Sequence, residues 1–507
     1  SSRLAGAGVT PDSMSSSTGE LAFSAGVELN AETYQQLDPG ETRWEYGHER
    51  RRPFLNVPLQ AWLLDSGYAR LDLSLTRNYH SFDDYITRET SPQQSDSPED
   101  GRNTIPVPEP DPRSNIPSRL HYIDPQFPFR SFASFGGEHW STQIGRDRIS
   151  WGPGRTGTLA ISDYADYHEA LRFATFFDSF KYSYFWINAP RFTESELAEL
   201  EDDGDGDGSG ITSPLERNYI GHRIDLRPHP RLNIGMYELY IIAKESMEFR
   251  YLHPVMLYHN HFLPQGNSSI MAGLDIDFTI APGWNLYGEY AFNSLMFNFL
   301  HRDAADADPD AWAALMGVET VRPAQRGYWS AGIEGVYTNP WFGVHRQPQT
   351  AFTHSRRTMA EHVDGYRYVT VEKPLGYSAG PDFVGLFVDA GYTVPRRLNI
   401  DTTLSLQGKG RRDLYIGSFD EFDSENDTSP SPSGDHPQWR TVAEIDASVQ
   451  PFELAGMESP VPFDGALEIG SHLAAIRTLN RRRPGELPSQ SGPEFDLQWA
   501  ARISLHW

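Results

Sequence analysis

A strict alternation of apolar and polar side chains ends the sequence and constrains its fold more than any other feature. Apolar residues occupy Phe495, Leu497, Trp499, Ala501, Ile503, Leu505 and Trp507, and between them lie Glu494, Asp496, Gln498, Ala500, Arg502, Ser504 and His506. Successive side chains of a β-strand point to opposite faces, so the pattern predicts a strand with one apolar and one polar face. The strand is long enough to cross a bilayer, which takes about 9 to 11 tilted residues.

The same rhythm recurs along the chain, whereas a single amphipathic strand could equally belong to a soluble sandwich. It is clear in 71–76, in 398–407, and in 270–280, where Pro282 and Gly283 predict a tight turn into 284–292. Weaker strand candidates are 20–29, 178–188, 217–227, 231–242, 328–338, 383–394, 440–449 and 463–475. Together these segments predict about 16 to 18 transmembrane strands.

Composition supports an all-β transmembrane antiparallel barrel with long external loops. No apolar run approaches the roughly 18 residues of a spanning helix, which excludes a helical membrane protein. Aromatic residues make up 13% of the chain, and 43 Gly and 37 Pro supply turns. We expect residues 1–19 to form an N-terminal extension and residues 20–507 to form the barrel.

The connections between these strands predict an orientation, because outer-membrane barrels have short periplasmic turns and long external loops. Counting back from the last strand, 477–493 and 408–438 are expected outside, and 450–462 and the Pro395 turn in the periplasm. Residues 42–63 then count as one long strand. A helix is predicted near 308–317, with Asp308 as N-cap, Pro309 at its first position and Gly317 past its end.

The charge balance limits the partners. Acids outnumber bases 69 to 43, giving a net charge of -26, so nucleic acid is not expected as a partner. The absence of Cys excludes disulfides and thiolate metal sites. The first residues show no secretory signal, and we expect it to have been removed. The expected location is the outer membrane, with lipid, lipopolysaccharide and, during biogenesis, the barrel-assembly machinery as partners.

Three segments between about residues 140 and 295 have a distinctive sequence. The most specific is Gly145-Arg-Asp-Arg-Ile-Ser-Trp-Gly-Pro-Gly154, followed by Leu159-Ala-Ile-Ser162. The other two are Tyr219-Ile-Gly-His-Arg223 and Pro254-Val-Met-Leu-Tyr258. These segments resemble the capsule-assembly Wzi family. The resemblance implies a barrel of about eighteen strands that acts as a surface lectin for capsular or related exopolysaccharide, with no reaction chemistry. That family opens with a helical bundle that occludes the barrel, whereas the first 30 residues here are rich in Ser and Gly.

Several arginines are candidate polysaccharide ligands, because a guanidinium can fork onto acidic sugar groups and an aromatic ring can face a sugar ring. The candidate residues are Arg146, Arg148, Trp151, Arg155, Arg223, Arg481, Arg482 and Arg483. The alternatives are a lumen-packing turn built by Gly152, Pro153 and Gly154, and solvated loop charge for the arginine run. A second basic run, 50–52, is expected in an external strand extension.

Two segments hold possible metal ligands. Asp203, Asp205, Asp207 and Ser209, with intervening glycines, follow the opening of a calcium loop, but Pro214 stands where the closing acid belongs, so a solvated acidic loop is the alternative. His259 and His261 lie two apart, with His253 near, and suit either zinc or an ordinary lumen position. Apart from possible Ca²⁺, no cofactor is expected.

Three functions stay open on the sequence alone. The leading one is polysaccharide binding at the cell surface, followed by a diffusion porin and by an outer-membrane or secreted enzyme acting on lipid or glycan. Enzymatic motifs such as a Gly-x-Ser-x-Gly elbow or a His-Glu-x-x-His helix are absent, so we do not expect an enzyme.

Overall fold

The computed structural model describes most of the chain, strand by strand. The described residues are 16–17, 21–38, 44–47, 49–77, 113–117, 123–124, 127–189, 216–244, 268–294, 310–344, 350–362, 365–412, 414, 429–457, 461, 465–481 and 491–507. Most of the expected extension, 1–19, lies outside them, so that boundary stays a prediction.

Strands make up nearly all of the regular structure. They are β1 (Ser16–Ser17), β2 (Leu21–Ala25), β3 (Glu28–Gln36), β4 (Leu55–Leu63), β5 (Gly67–Leu75), β6 (Ser131–Gly137), β7 (Trp140–Asp147), β8 (His168–Phe176), β9 (Phe180–Ala189), β10 (Glu216–His229), β11 (Leu232–Lys244), β12 (Ser268–Ala281), β13 (Trp284–Ser294), β14 (Ala311–Ala324), β15 (Gly327–Thr338), β16 (Thr353–His362), β17 (Gly365–Pro374), β18 (Phe383–Val394), β19 (Leu398–Lys409), β20 (Gln438–Val449), β21 (Ala466–Leu479) and β22 (Glu494–His506). A short helix, α1 (Pro451–Ala455), lies between β20 and β21. No helix in the described ranges is long and apolar enough to cross a membrane.

Eighteen of these strands form a closed antiparallel barrel, as predicted. The ring runs in chain order from β3 to β15 and from β18 to β22, and the hairpin of β16 and β17 stands outside it. The last strand closes the ring by pairing with the first, with Gln498 opposite Gln36 and His506 opposite Glu28. On its other side β3 pairs with β4 only at Glu28 and Leu29. The rest of β3 pairs on that side with a different segment.

That partner is the segment 113–117, which we call the seam segment. Thr33 forms a bridge with Ser114, and the Tyr34 N–H donates to the Arg113 carbonyl at 2.9 Å. Asn115 is fully buried; its Oδ1 accepts from the Glu32 N–H at 2.9 Å and its Nδ2 donates to the Asn30 carbonyl at 2.8 Å. The seam segment therefore satisfies backbone groups that an interrupted barrel wall would otherwise leave unpaired.

Short and long connections alternate around the ring, as the sequence predicts. The short end carries 64–66, 138–139, 177–179, 230–231, 282–283, 325–326, 395–397 and 450–465, and the long end carries 37–54, 76–130, 148–167, 190–215, 245–267, 295–310, 339–382, 410–437 and 480–493. By the usual asymmetry the short end is periplasmic and the long end external. At the predicted tight turn, Gly283 adopts φ 75°, a left-handed value that favours glycine.

An apolar belt surrounds the barrel and confirms the predicted faces. Exposed belt residues include Leu73, Ile144, Leu171, Leu274, Ile276, Met316, Ile333, Leu386, Leu404, Ile445, Leu473, Phe495 and Ile503. Their sequence neighbours face the interior: Asp72, Asp275, Asp496 and Gln498 are buried. This chain is therefore an outer-membrane barrel with apolar groups toward lipid and polar groups toward the lumen.

Two predictions about local structure were wrong. The predicted helix near 308–317 is part of strand β14, and Asp308 and Pro309 lie outside the described residues. Its Ala-rich sequence favours a helix in isolation, but pairing with β13 and β15 overrides that propensity. Residues 42–63 do not form one strand: only Leu55–Leu63 does, and Trp44, Tyr46 and Arg51 are buried inside the barrel.

Candidate functional site

A stretch of chain between β7 and β8 packs inside the barrel. We call residues 149–161 the central lumen segment. A β-bridge between Trp151 and Ile161 closes the segment into a loop. The Trp151 N–H donates to the Ile161 carbonyl oxygen at 3.1 Å. Leu159, Ala160 and Ile161 are fully buried in a hydrophobic cluster with lumen-facing residues of the wall. The lumen at this level therefore contains a packed core.

Two wall carboxylates hold the backbone of this segment. Glu289 on β13 accepts the N–H groups of Gly154 and Leu159, both at 2.8 Å. Glu334 on β15 accepts the N–H groups of Arg155 and Thr156, at 2.7 Å and 3.0 Å. The Thr156 hydroxyl also contacts Glu334. We call this pair of buried acids the carboxylate clasp, because each satisfies two amides that burial has taken from water.

The Gly-Pro-Gly sequence permits this close approach. Gly152 has φ 131°, and a Cβ there would collide with the Glu289 carboxylate. A Cβ on Gly154 would meet the Gly157 carbonyl oxygen. Both positions therefore require glycine for the segment to lie against the clasp.

Trp151 and Arg155 have structural contacts that account for them without a ligand. The Trp151 ring is buried, with its centroid 4.6 Å from that of Phe185 and 6.3 Å from that of Tyr237. The Arg155 guanidinium lies 3.1 Å from Asp389 and 3.4 Å from Glu319, which links the segment to β18 and β14. The contacts of these two residues are those of the packing alternative, and a ligand role stays a prediction.

Arg146 and Arg148 lie at the external end of β7. Arg146 lies two residues after the lipid-facing Ile144, so it points to the same outer face of the barrel. Its Cζ lies 4.5 Å from the Tyr167 ring, and its Nη2 lies 2.6 Å from Glu169. Arg148 is exposed, and its Nε donates to the Asp166 carbonyl at 3.2 Å. The structure therefore places both near the external rim, as required of surface ligands, but Arg146 is already paired.

The other predicted arginines are dispersed. Arg223 is buried and donates to both Asp275 and Asp225, each within 2.9 Å. Arg481 bridges Asp38 at 2.6 Å and Glu494 at 2.7 Å. Arg482 and Arg483 lie outside the described residues, as do Asp203, Asp205, Asp207 and Ser209 and the histidines His253, His259 and His261. Calcium and zinc binding by those segments stay predictions. Within the described ranges no three His, Asp or Glu side chains are grouped to hold a metal.

The expectation for 50–52 was wrong, because these arginines point into the lumen. Arg50 Nη1 lies 2.6 Å from Glu444, and Arg52 Nη2 lies 3.1 Å from Glu468. Arg51 is buried with its Cζ 4.6 Å from the Tyr34 ring. Acidic side chains of the lumen wall attract these arginines inward. The run of arginines in the sequence does not show this pairing.

Sequence reasoning missed a set of lumen arginines on and beside the short strands β5, β6 and β8, which we call the basic face: Arg70, Arg130 and Arg172. Arg130 Nε lies 3.0 Å from Asp147, and Arg172 Nη1 lies 3.5 Å from the same carboxylate. Arg70 pairs with Asp72 at 2.8 Å. The signal available was the alternation of β5 and β8, which puts Arg70 and Arg172 on the face opposite Leu71 and Leu171.

The lumen wall across from the basic face carries a run of acidic side chains. Glu319, Glu334, Asp389, Asp401, Glu444 and Asp446 occupy five adjacent strands, β14, β15, β18, β19 and β20. The central lumen segment contacts this wall in two ways. The amides of Arg155 and Thr156 donate to Glu334, and the Arg155 guanidinium lies beside Asp389 and Glu319. The lumen is therefore electrostatically divided, with a basic face on β5, β8 and the start of β6 and an acidic wall across from it.

Comparison with known proteins adds a family and a fold. A family model described as Capsule assembly protein Wzi matches residues 129–440. Among solved structures, Wzi of Escherichia coli, described as a carbohydrate-binding β-barrel of the outer membrane involved in group 1 capsule assembly, has a TM-score of 0.50 at 11% identity, covering 94% of this chain and 83% of that one. OprD of Pseudomonas aeruginosa has a TM-score of 0.41 at 9% identity, covering 98% and 99%. These likenesses concern the fold alone. No curated protein sequence matches the chain.

Proposed function

Because the chain belongs to the Capsule assembly protein Wzi family, we propose that this outer-membrane barrel binds capsular or related extracellular polysaccharide at the cell surface. The role is one of holding a polymer, without catalysis. Lipopolysaccharide and the barrel-assembly machinery remain predicted partners.

The observation that carries the proposal is the basic face on the lumen side of the short strands β5 to β8. Arg130 and Arg172 keep 46% and 37% of their side chains exposed while sharing the single carboxylate of Asp147. Two guanidinium groups around one acid leave donors for a further anion, in a chain whose overall charge repels anions. Uronate, pyruvate or phosphate groups on a polysaccharide have the matching chemistry.

Aromatic rings beside these arginines suit a sugar ring. The Phe132 centroid lies 5.9 Å from the Arg130 Cζ and 5.8 Å from the Tyr68 centroid. Both rings belong to the lumen face, since Phe132 alternates with Ala133 and Phe135, and Phe135 is exposed to lipid. Flat apolar faces next to charged donors are the usual elements of carbohydrate recognition.

The packed interior favours this function over a diffusion porin. A porin needs a water-filled path, whereas here the central lumen segment is buried among wall residues and tied to the clasp. We therefore propose a barrel of low solute permeability.

The test measures capture of a purified uronate-containing capsular polysaccharide by the full chain in detergent micelles, as a function of salt. We expect saturable capture in the natural chain and a loss of about tenfold or more in the Arg130→Ala, Arg172→Ala double variant, since a hydrogen bond to a charged group contributes about 1.5–3 kcal/mol. The salt dependence should weaken in parallel. Arg396→Ala, at a periplasmic turn, is the matched control. Equal capture by all three proteins would refute the proposal.

A further inference from the structure

A cavity of about 330 Å³ lies in the periplasmic half of the lumen, lined by strands other than those that carry the basic face. Its lining residues come from β19, β20, β22 and the chain before β4: Tyr46, Arg50, Arg52, Asp401, Thr403, Glu444, Asp446 and Arg502. That volume is at the lower end of the range of small-molecule sites. We call it the floor cavity.

One wall of the floor cavity is a stretch of chain, 44–52, that folds inward between β3 and β4. The Tyr46 hydroxyl donates to Glu32 at 2.9 Å, and burial together with Glu32 raises the pKa of Tyr46, so it stays a donor. The Glu45 carboxylate lies 2.8 Å from Arg440 on β20. Arg51 lies over Tyr34. These contacts fix the wall in place, which preorganises the cavity for a ligand.

The cavity presents positively and negatively charged side chains in equal number. Its three arginines and three carboxylates cancel in formal charge. Arg50 pairs with Glu444, while Arg52 and Arg502 both reach Glu468 at 3.1 Å. Asp401 and Asp446 stand directly opposite each other in register. A charged ligand of either sign would therefore face as many repelling as attracting groups, whereas an uncharged polyol meets both donors and acceptors.

A buried histidine behind this lining lacks hydrogen bonds. His472 is 2% exposed, and neither ring nitrogen has a hydrogen-bond partner in the described part of the chain. Its Nδ1 lies 3.6 Å from Asp446, beyond normal hydrogen-bond length, and its ring centroid lies 5.3 Å from that of Tyr46. His472 therefore lies directly behind the Asp446 side of the cavity.

We propose that the floor cavity is a second saccharide site, which takes one neutral sugar unit through its hydroxyl groups. Asp401, Asp446 and Thr403 accept from the hydroxyls, Arg50 and Arg52 donate to them, and Tyr46 supplies an aromatic edge. The site extends the proposed glycan binding but uses none of the residues of the basic face, so either site can fail without the other.

Titration calorimetry on the full chain in detergent tests this, with maltose as the neutral probe and glucuronate as the charged one. We expect saturable maltose binding that weakens about tenfold or more in Arg50→Ala and Asp446→Asn, and that disappears in Thr403→Tyr, which fills the cavity without breaking an ion pair. The Arg130→Ala, Arg172→Ala variant should bind maltose as the natural chain does. Each variant is first checked for a compact, heat-modifiable band on an unheated detergent gel.

The outcomes separate the two proposals. Loss of maltose binding in the cavity variants, with anionic polysaccharide capture retained, supports the floor cavity. No saturable maltose binding, or binding unchanged by Thr403→Tyr, overturns it whatever the basic face does. Tighter binding of glucuronate than of maltose at this site would overturn the argument from charge balance.

Discussion

Removing the carboxylate clasp should release the central lumen segment and raise the permeability of the barrel. Glu289→Ala leaves the amides of Gly154 and Leu159 buried without acceptors, and Glu334→Ala does the same to two more. A buried donor left without an acceptor costs about 1–3 kcal/mol, so the loss of Glu289 alone, which leaves two such amides, costs about 2–6 kcal/mol. At about 1.4 kcal/mol per tenfold, the packed state then loses about one to four decades in population.

Single-channel conductance in planar bilayers measures this directly. We expect rare or brief openings in the natural chain and long-lived openings in the Glu289→Ala, Glu334→Ala double variant. Asp72→Asn is the control, because Asp72 is a buried lumen carboxylate that pairs with Arg70 and does not touch the segment. If the double variant folds and conducts no more than the control, the clasp does not hold the lumen closed.

Three further substitutions test other parts of the structure. Gly152→Ala, at φ 131° and against Glu289, should cost about 1–3 kcal/mol locally and increase conductance in the same assay. Leu404→Arg on the lipid face should lower the unfolding free energy in liposomes by about 2–4 kcal/mol, while Thr403→Arg, facing the lumen, should lower it by less than half as much. Asn115→Ala should cost about 1–3 kcal/mol at the seam, seen as faster hydrogen exchange of the Glu32 amide and not of wall amides elsewhere.

Alternation predicted the barrel wall well because it follows from the backbone alone. In β22, β12 and β19 the apolar positions named from the sequence face lipid, and the polar ones face the lumen. The method failed at β14, where Ala311 to Ala314 carry little contrast between the faces, and it missed β6 to β8, which are only seven to nine residues long. Short strands give too few alternations to stand out.

The lumen could not be read from the sequence for a different reason. The hydrogen bond from Gly154 to Glu289 joins residues 135 positions apart, and that from Arg50 to Glu444 joins residues 394 apart. Which of the many acids meets which arginine depends on the ring of strands being closed. The family resemblance singled out Trp151 and its neighbours as a distinctive segment. Only the closed barrel shows that this segment packs inside the lumen.

The barrel is proposed to hold an anionic polymer while its lumen stays closed, and one proteoliposome preparation can be divided to measure both properties. One part measures uptake of a small neutral solute by liposome swelling, and the other measures retention of uronate-containing capsular polysaccharide after washing at low and high salt. We predict slow swelling together with salt-sensitive retention. Fast swelling without retention would contradict polysaccharide binding by a closed barrel and identify a diffusion channel.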